Sequence, residues 1–188
     1  MNSAPQIALV SGTFSSPSKT SALGQAVASA VQRTYGGAVH TTEVAGLLRE
    51  FGISLTTGST TATLQRHISA VEQADIVIAV SPVFKGSYSG LFKHFFDLLD
   101  PYALTGRPVI LGATGGSERH SLVVDYELRP LFNYFNAHVS PVGLFATDAD
   151  FVDYEIITPA LVQRIDRAVN SLAPLLQRDD EPIAAAER

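Results

Sequence analysis

Between Val10 and Val27 the chain reads VSGTFSSPSKTSALGQAV, a stretch crowded with hydroxyls at Ser11, Thr13, Ser15, Ser16, Ser18, Thr20 and Ser21. It carries one lysine, Lys19, and no acid. An apolar run, Ile7–Val10, precedes it and a helical pattern follows. The N-terminus of a helix offers free N–H groups and partial positive charge, so anions bind there. Hydroxyls at Ser18, Thr20 and Ser21 would add donors, Lys19 would add charge, and Gly12 permits a tight exit from a strand. Together these residue types make a cradle for a terminal phosphate. Ser and Thr also favour helix starts as N-caps, whatever ligand is present, and on pattern alone both readings stand. The loop is not a Walker P-loop, since Gly-x4-Gly-Lys-Ser/Thr is absent, and it lacks the three glycines of the dinucleotide fingerprint.

Two further loops carry chemistry. SPVFKGSYSGLFKHFFDLL follows a third apolar run: Pro82 and Val83 lead into Phe84, Lys85, Gly86 and Ser87. A planar ring can pack on such a backbone while amides and the Ser87 hydroxyl meet its polar edge, and Lys85 can place positive charge beside a ring that becomes anionic. A core Phe84 and a solvated Lys85 are the plainer alternatives. GATGGSERH follows a fourth run, and Thr114, Gly115, Gly116 and Ser117 form a loop whose bare backbone can hydrogen-bond a flat ligand, or make a simple turn. His94, His120 and His138 have no metal-ligand spacing, and no Gly-x-Ser-x-Gly elbow is present, which argues against metal chemistry and against that kind of hydrolase.

The elements that must position these loops follow from periodicity. Apolar runs at Ile7–Val10, Val39–Val44, Ile76–Val80, Pro108–Ala113 and Val139–Phe145 read as strands, the third and fourth without alternation, as in strands buried on both faces. Helical spacing recurs at Ser21–Val31, Leu64–Val71, Leu91–Leu99, Leu122–Phe135 and Ala160–Leu176. Alternation of this kind predicts an α/β protein with a flavodoxin-like doubly wound sheet of five parallel strands and helices on both faces. In such folds ligands bind beyond the carboxyl ends of the strands, where the loops after strands one, three and four would open together. Residues 46–63, a polar connection, are expected to be a long loop, either functional or mobile. Residues 1–178 are expected to form one domain, followed by a charged tail, 179–188, that frays or packs on a partner.

Composition narrows the function. Apolar residues make up 46% of the 188, enough for a sizeable core. A formal charge of −5 disfavours non-specific nucleic-acid or anionic-membrane binding. With no cysteine, disulfides, thiolate catalysis and Cys-ligated metals are excluded. No apolar run approaches the ~18 residues of a membrane span, and residues 1–6 lack the basic and apolar regions of a secretory signal. The expectation is a soluble cytoplasmic protein.

At these residues the chain resembles the NAD(P)H-dependent FMN reductases of the flavodoxin-like superfamily, above all the reductase components of two-component alkanesulfonate and methanesulfonate monooxygenases. PSKTSAL, SPVFKGSYSGLFKHFFDLLD, ATGGSERH, VVDYELRPLF and DADFVDYEI carry the likeness, which spans nearly the whole chain. The resemblance implies FMN with Ser18, Thr20 and Ser21 at its phosphate and Ser11 near it. It implies Pro82, Val83, Phe84 and Lys85 along the isoalloxazine ring, Ser87 nearby, and Thr114, Gly115, Gly116 and Ser117 at the ring's other edge. Many relatives carry an Arg in the first loop, near Phe14 or Ser16 here, so phosphate charge would rest on Lys19 and the helix end. Phe84 stands where Tyr is common. In some relatives an inserted Tyr matching Tyr126 makes a π-helical bulge at a subunit interface, linked to transfer of reduced flavin; the plainer alternative is an ordinary helix with Tyr126 half-buried.

The implied activity is reduction of FMN by NADH or NADPH, with reduced flavin supplied to a flavin-dependent monooxygenase. Hydride transfer between stacked rings needs no acid or base from a side chain, so no catalytic residue is required and Lys85 is the candidate for an electrostatic role. A flavin-retaining quinone or azo reductase is the alternative enzyme. A flavodoxin-type electron carrier ranks last, since carriers tend to be strongly acidic and often flank the ring with Trp, which this chain lacks. Apolar breadth on Leu91–Leu99 and the aromatic Leu131–Phe135 predict a homodimer or homotetramer.

Overall fold

The computed structural model describes residues 4–176, so the tail expected at 179–188 lies outside the described residues. The central sheet is built from β1 (Gln6–Ser11), β2 (Ala38–Glu43), β3 (Ile76–Pro82) and β4 (Pro108–Thr114). Its fifth position is filled in two pieces, β5 (His138–Val139) and β6 (Leu144–Ala146). The order is β2-β1-β3-β4-β5, with β6 also on β4, and every pair in this sheet is parallel. Pro108 faces His138 whereas Gly112 faces Leu144, so the broken strand loops out extra residues between its halves. This is the flavodoxin strand order, with its switch point between β1 and β3.

Successive residues of a strand point to opposite faces, and each face buries its own core. On one side, Ile7, Leu9, Ile78, Val80 and Ile110 meet Leu23, Val27 and Val31 of α1 (Lys19–Tyr35) and Leu161, Ile165 and Val169 of α6 (Pro159–Asn170). On the other, Ala8, Val10, Val77, Ala79 and Leu111 meet Phe51 of α2 (Leu48–Thr57), Leu64 and Ile68 of α3 (Ala62–Glu72), Phe92 and Phe96 of α4 (Gly90–Asp97) and Phe132 of α5 (Arg129–Tyr134). A short helix, α7 (Ala173–Leu176), follows α6. Gly24 lets α1 lie close on the sheet: a Cβ there would sit 2.8 Å from Leu9 Cδ1 and 3.0 Å from Val80 Cγ2.

The structure adds to or departs from the expected elements in four places. Residues 46–63 are mostly helical rather than a loop: a 3-10 turn over Val44–Leu47 leads into α2, because Val44, Leu47 and Phe51 recur at helical spacing and are buried. The helical stretch expected over Leu122–Phe135 contains the π-helix that the resemblance implied at Tyr126, Val124–Leu128, continued by α5, rather than the ordinary helix with a half-buried Tyr126. The helix expected over Ala160–Leu176 breaks between α6 and α7. Finally, a hairpin, β7 (Phe151–Val152) and β8 (Glu155–Ile156), turns through Asp153 and Tyr154 at φ of 47° and 66°. The apolar side of α4 is also used up internally: Phe92, Phe95 and Phe96 are fully buried, with Phe96 edge-on to Phe132 at 4.9 Å. The breadth of Leu91–Leu99 therefore gives no argument for association.

Candidate functional site

The loops after β1, β3 and β4 meet at the carboxyl edge of the sheet. Gly12 N–H donates to Val80 O at 2.8 Å, and Val83 N–H donates to Thr114 O at 2.8 Å. Ser89 Oγ donates to Gly12 O at 2.7 Å, tying the start of α4 to the first loop. Thr20 Oγ1 and Thr114 Oγ1 are 2.6 Å apart, which joins the first loop to the fourth strand's end. Gly12 is required for this closeness, since a Cβ there would lie 2.8 Å from Phe92 Cδ2.

In the first loop, Ser18 caps α1. Its Oγ accepts from Thr20 N–H at 3.1 Å and Ser21 N–H at 3.4 Å, and donates to Thr13 Oγ1 at 2.9 Å. Thr13 Oγ1 also accepts from Ser15 N–H at 3.2 Å. Thr13 and Ser18 thus frame the exposed segment 14–17, which contains a cis Ser16–Pro17 peptide. Ser11 and Ser21 face elsewhere: their hydroxyls are 3.2 Å apart, and Ser21 donates to Glu43 Oε1 at 2.8 Å. Lys19 Nζ lies 2.7 Å from Asp148 Oδ1, so its charge is already partnered. The hydroxyls that the sequence groups together divide into a loop set and a set anchored on β2.

The third loop is a tight turn. Phe84 N–H donates to Ser87 O at 2.8 Å and Ser87 N–H donates to Phe84 O at 3.1 Å. Both central residues are left-handed, Lys85 at φ 51° and Gly86 at φ 89°. Lys85 is exposed at the tip. Phe84, 47% exposed, lies nearly parallel to Phe14 of the first loop, 45% exposed, with ring centroids 5.6 Å apart and an 8° interplanar angle. Ser87 Oγ donates to Glu127 Oε2 at 2.9 Å. Phe14 and Thr13 were read in the loop without a site role, and Glu43, Glu127 and Asp148 were missed; for Phe14 the signal was an aromatic set among hydroxyls, and for the acids there was none.

In the fourth loop, Gly115 N–H donates to Ala146 O at 3.0 Å, and a Cβ on Gly115 would lie 3.0 Å from Phe145 Cζ. Gly116 has open space around its Cα, and Ser117 Oγ is buried without a hydrogen-bond partner. A buried hydroxyl with unused capacity, bare backbone beside it, a hydroxyl-framed helix start and two exposed aromatic rings fit a ligand with a phosphate and a flat polar ring. Among the described residues no group of three or more His, Asp or Glu could hold a metal ion.

Beside the third loop a cavity of about 560 Å³ is lined by Tyr88, Phe96, Tyr126, Glu127, Tyr134 and Phe135, among others. Tyr126, 72% exposed, sits on the π-helix at its rim. Burial first, then the carboxylates of Glu127 and Asp97, raise the Tyr88 phenol above its ordinary value against an opposing effect of Lys93, so it stays neutral.

Strand order and loop placement define a flavodoxin-like α/β protein whose candidate site is the carboxyl edge of the sheet. Residues 5–151 match the NADPH-dependent FMN reductase family. The chain is 42% identical over 182 residues to the NADH-dependent FMN reductase SfnF of Pseudomonas putida, with 96% of each chain covered. It is 41% identical over 175 residues to the FMN reductase (NADPH) of Pseudomonas aeruginosa, covering 93% of this chain and 94% of that one. It superposes on an oxidoreductase from Corynebacterium diphtheriae with a TM-score of 0.81 at 40% identity, over 94% of this chain and 100% of the other. The chain belongs to the NADPH-dependent FMN reductase family.

Proposed function

We propose that this protein is an NAD(P)H:FMN oxidoreductase that supplies reduced flavin to a flavin-dependent monooxygenase. The observation that carries the reading is the joining of the three loops, by Thr20 to Thr114 and by Phe14 to Phe84, at the edge where this fold binds nucleotides. FMN, when bound, supplies the redox chemistry by accepting hydride from the reduced nicotinamide. The chain's own work is to hold and align. Ser18, Thr20 and the N–H groups at the start of α1 are assigned to the phosphate, with Ser11 and Ser21 behind them. Lys19, held by Asp148, contributes less charge than its position suggests. Pro82, Val83, Phe84, Lys85 and Ser87 are assigned to one side of the ring, and Thr114, Gly115, Gly116 and Ser117 to its other edge. Ser117 Oγ, buried and unpartnered, is the donor best prepared for a ring acceptor. No side chain is required as acid or base.

The monooxygenase partner rests on the likeness of PSKTSAL, VVDYELRPLF and the other quoted pieces to reductase components of two-component systems. The protein is proposed to act in the cytoplasm; among the described residues no helix is long and apolar enough to cross a membrane. The electron donor is NADH or NADPH: one relative named for NADH and another named for NADPH stand at 42% and 41% identity. The test is the steady-state rate of oxidation of each nucleotide with FMN, FAD and riboflavin in turn. FMN should be the best acceptor; equal rates with riboflavin would remove the phosphate-reading role of the first loop.

A further inference from the structure

The turn Phe84–Ser87 is held by little. Its own two backbone bonds close it, and the ring of Phe84 leans on an equally exposed Phe14. Lys85 sits at φ 51°, in a region where an L-residue is disfavoured, so the turn gains from any contact that holds it. Among the described residues the one side-chain hydrogen bond reaching the turn is Ser87 Oγ to Glu127 Oε2, at 2.9 Å, between two half-buried residues. A hydroxyl donating to a carboxylate is charge-assisted and stronger than a neutral pair. Glu127 belongs to the π-helix, next to the exposed Tyr126, and its side chain also borders the aromatic cavity.

We infer that Glu127 is a positioning residue for the ring-side turn, and that it is the link through which the π-helical face sets the turn's conformation. The carboxylate fixes Ser87, Ser87 fixes the register of the reciprocal bonds with Phe84, and these hold Lys85 and Phe84 where a flavin ring would meet them. This inference rests on the FMN reading only in its last step. Anything that shifts the π-helix, such as a protein docking on Tyr126, would act on the turn through this one bond.

The experiment uses the full chain in two measurements. Amide hydrogen exchange is followed in the flavin-free protein, and equilibrium binding of FMN and of riboflavin is measured by flavin fluorescence, for wild type, Glu127→Ala, Glu127→Gln, Ser87→Ala and the double Ser87→Ala/Glu127→Ala. Glu127→Ala should speed exchange at the Phe84 and Ser87 amides. It should also weaken FMN and riboflavin alike by about tenfold, the equivalent of about 1.4 kcal/mol, since the loss is on the ring side and not at the phosphate. Glu127→Gln keeps an acceptor without the charge and should recover about half of each effect, leaving a loss of about threefold, roughly 0.7 kcal/mol. The double variant should behave like either single one, because both remove the same bond. Unchanged exchange at the turn in Glu127→Ala, or additive losses in the double variant, would overturn the inference. If exchange responds as expected but wild type binds neither flavin, the positioning role stands and the FMN reading fails.

Discussion

Ser18 holds the start of α1 and stands at the assigned phosphate site, and substitution separates the two tasks. Its Oγ accepts from the N–H groups of Thr20 and Ser21. Replacing an N-cap Ser by Ala costs ~1 kcal/mol, whereas Gly costs only a few tenths, about 0.3. Ser18→Ala should therefore lower stability by ~1 kcal/mol in a urea melt, and Ser18→Gly should leave it nearly unchanged. Both should weaken FMN more than riboflavin; if Ser18→Gly binds FMN as well as wild type, Ser18 is a cap and nothing more. Lys85 allows a similar separation. Lys85→Met keeps the φ of 51° and removes the charge, so it should lower the reduction potential of bound FMN; an unchanged potential with a raised nucleotide KM would make Lys85 a nucleotide contact. Hydroxyl-rich Ser18 and Thr20 were legible because caps and anion sites use local sequence. Glu127 and Asp148 were not: their partners Ser87 and Lys19 lie 40 and 129 residues away in the chain, and no local pattern records such a pairing.

Helices and strands were more legible than their interruptions. The apolar runs of β1, β3 and β4 and the stripe on α1 follow directly from burial on one or both faces. The helix α2 was hidden by Gly46, Gly52 and the surrounding Thr and Ser, which read as loop residues, while tertiary burial of Phe51 decides the outcome. The π-helix was expected only through a family resemblance, since a residue inserted into an apolar stripe leaves no distinct period. One junction between elements is expected to respond to pH. His67 of α3 touches His40 of β2, with Nε2 of one 3.0 Å from Nδ1 of the other, and Thr42 Oγ1 is 2.9 Å from the same Nδ1. Burial first, then the charges of His40 and Arg66, hold the His67 imidazole below its ordinary value. The unfolded chain then binds a proton that the folded chain resists. Stability is full above the ordinary value of about 6.5 and falls as pH drops from there toward the lowered folded value. Denaturant midpoints should decline over that interval in wild type and decline less in His67→Gln; equal declines would place the effect elsewhere.

The molecule as a whole packs two cores against one parallel sheet and leaves its loops after β1, β3 and β4 at a common edge. Tyr126 and Tyr134, 72% and 68% exposed, border one cavity on a face that remains outside both cores. That face supports association of copies better than the apolar breadth of α4, which is spent inside the chain. Sedimentation at micromolar concentration should give a dimer or tetramer for wild type and a smaller species for Tyr126→Glu with Tyr134→Glu; a wild-type monomer would reject the proposal. Catalytic turnover of free FMN separates a reductase from a protein that keeps its flavin. Protein at low concentration is mixed anaerobically with free FMN in large excess over the chain and NADH or NADPH in excess over the FMN, and the visible absorption of the flavin is followed. The whole FMN pool should bleach over many turnovers. Bleaching limited to one flavin per chain, with further nucleotide oxidation only after a quinone is added, would contradict the assignment.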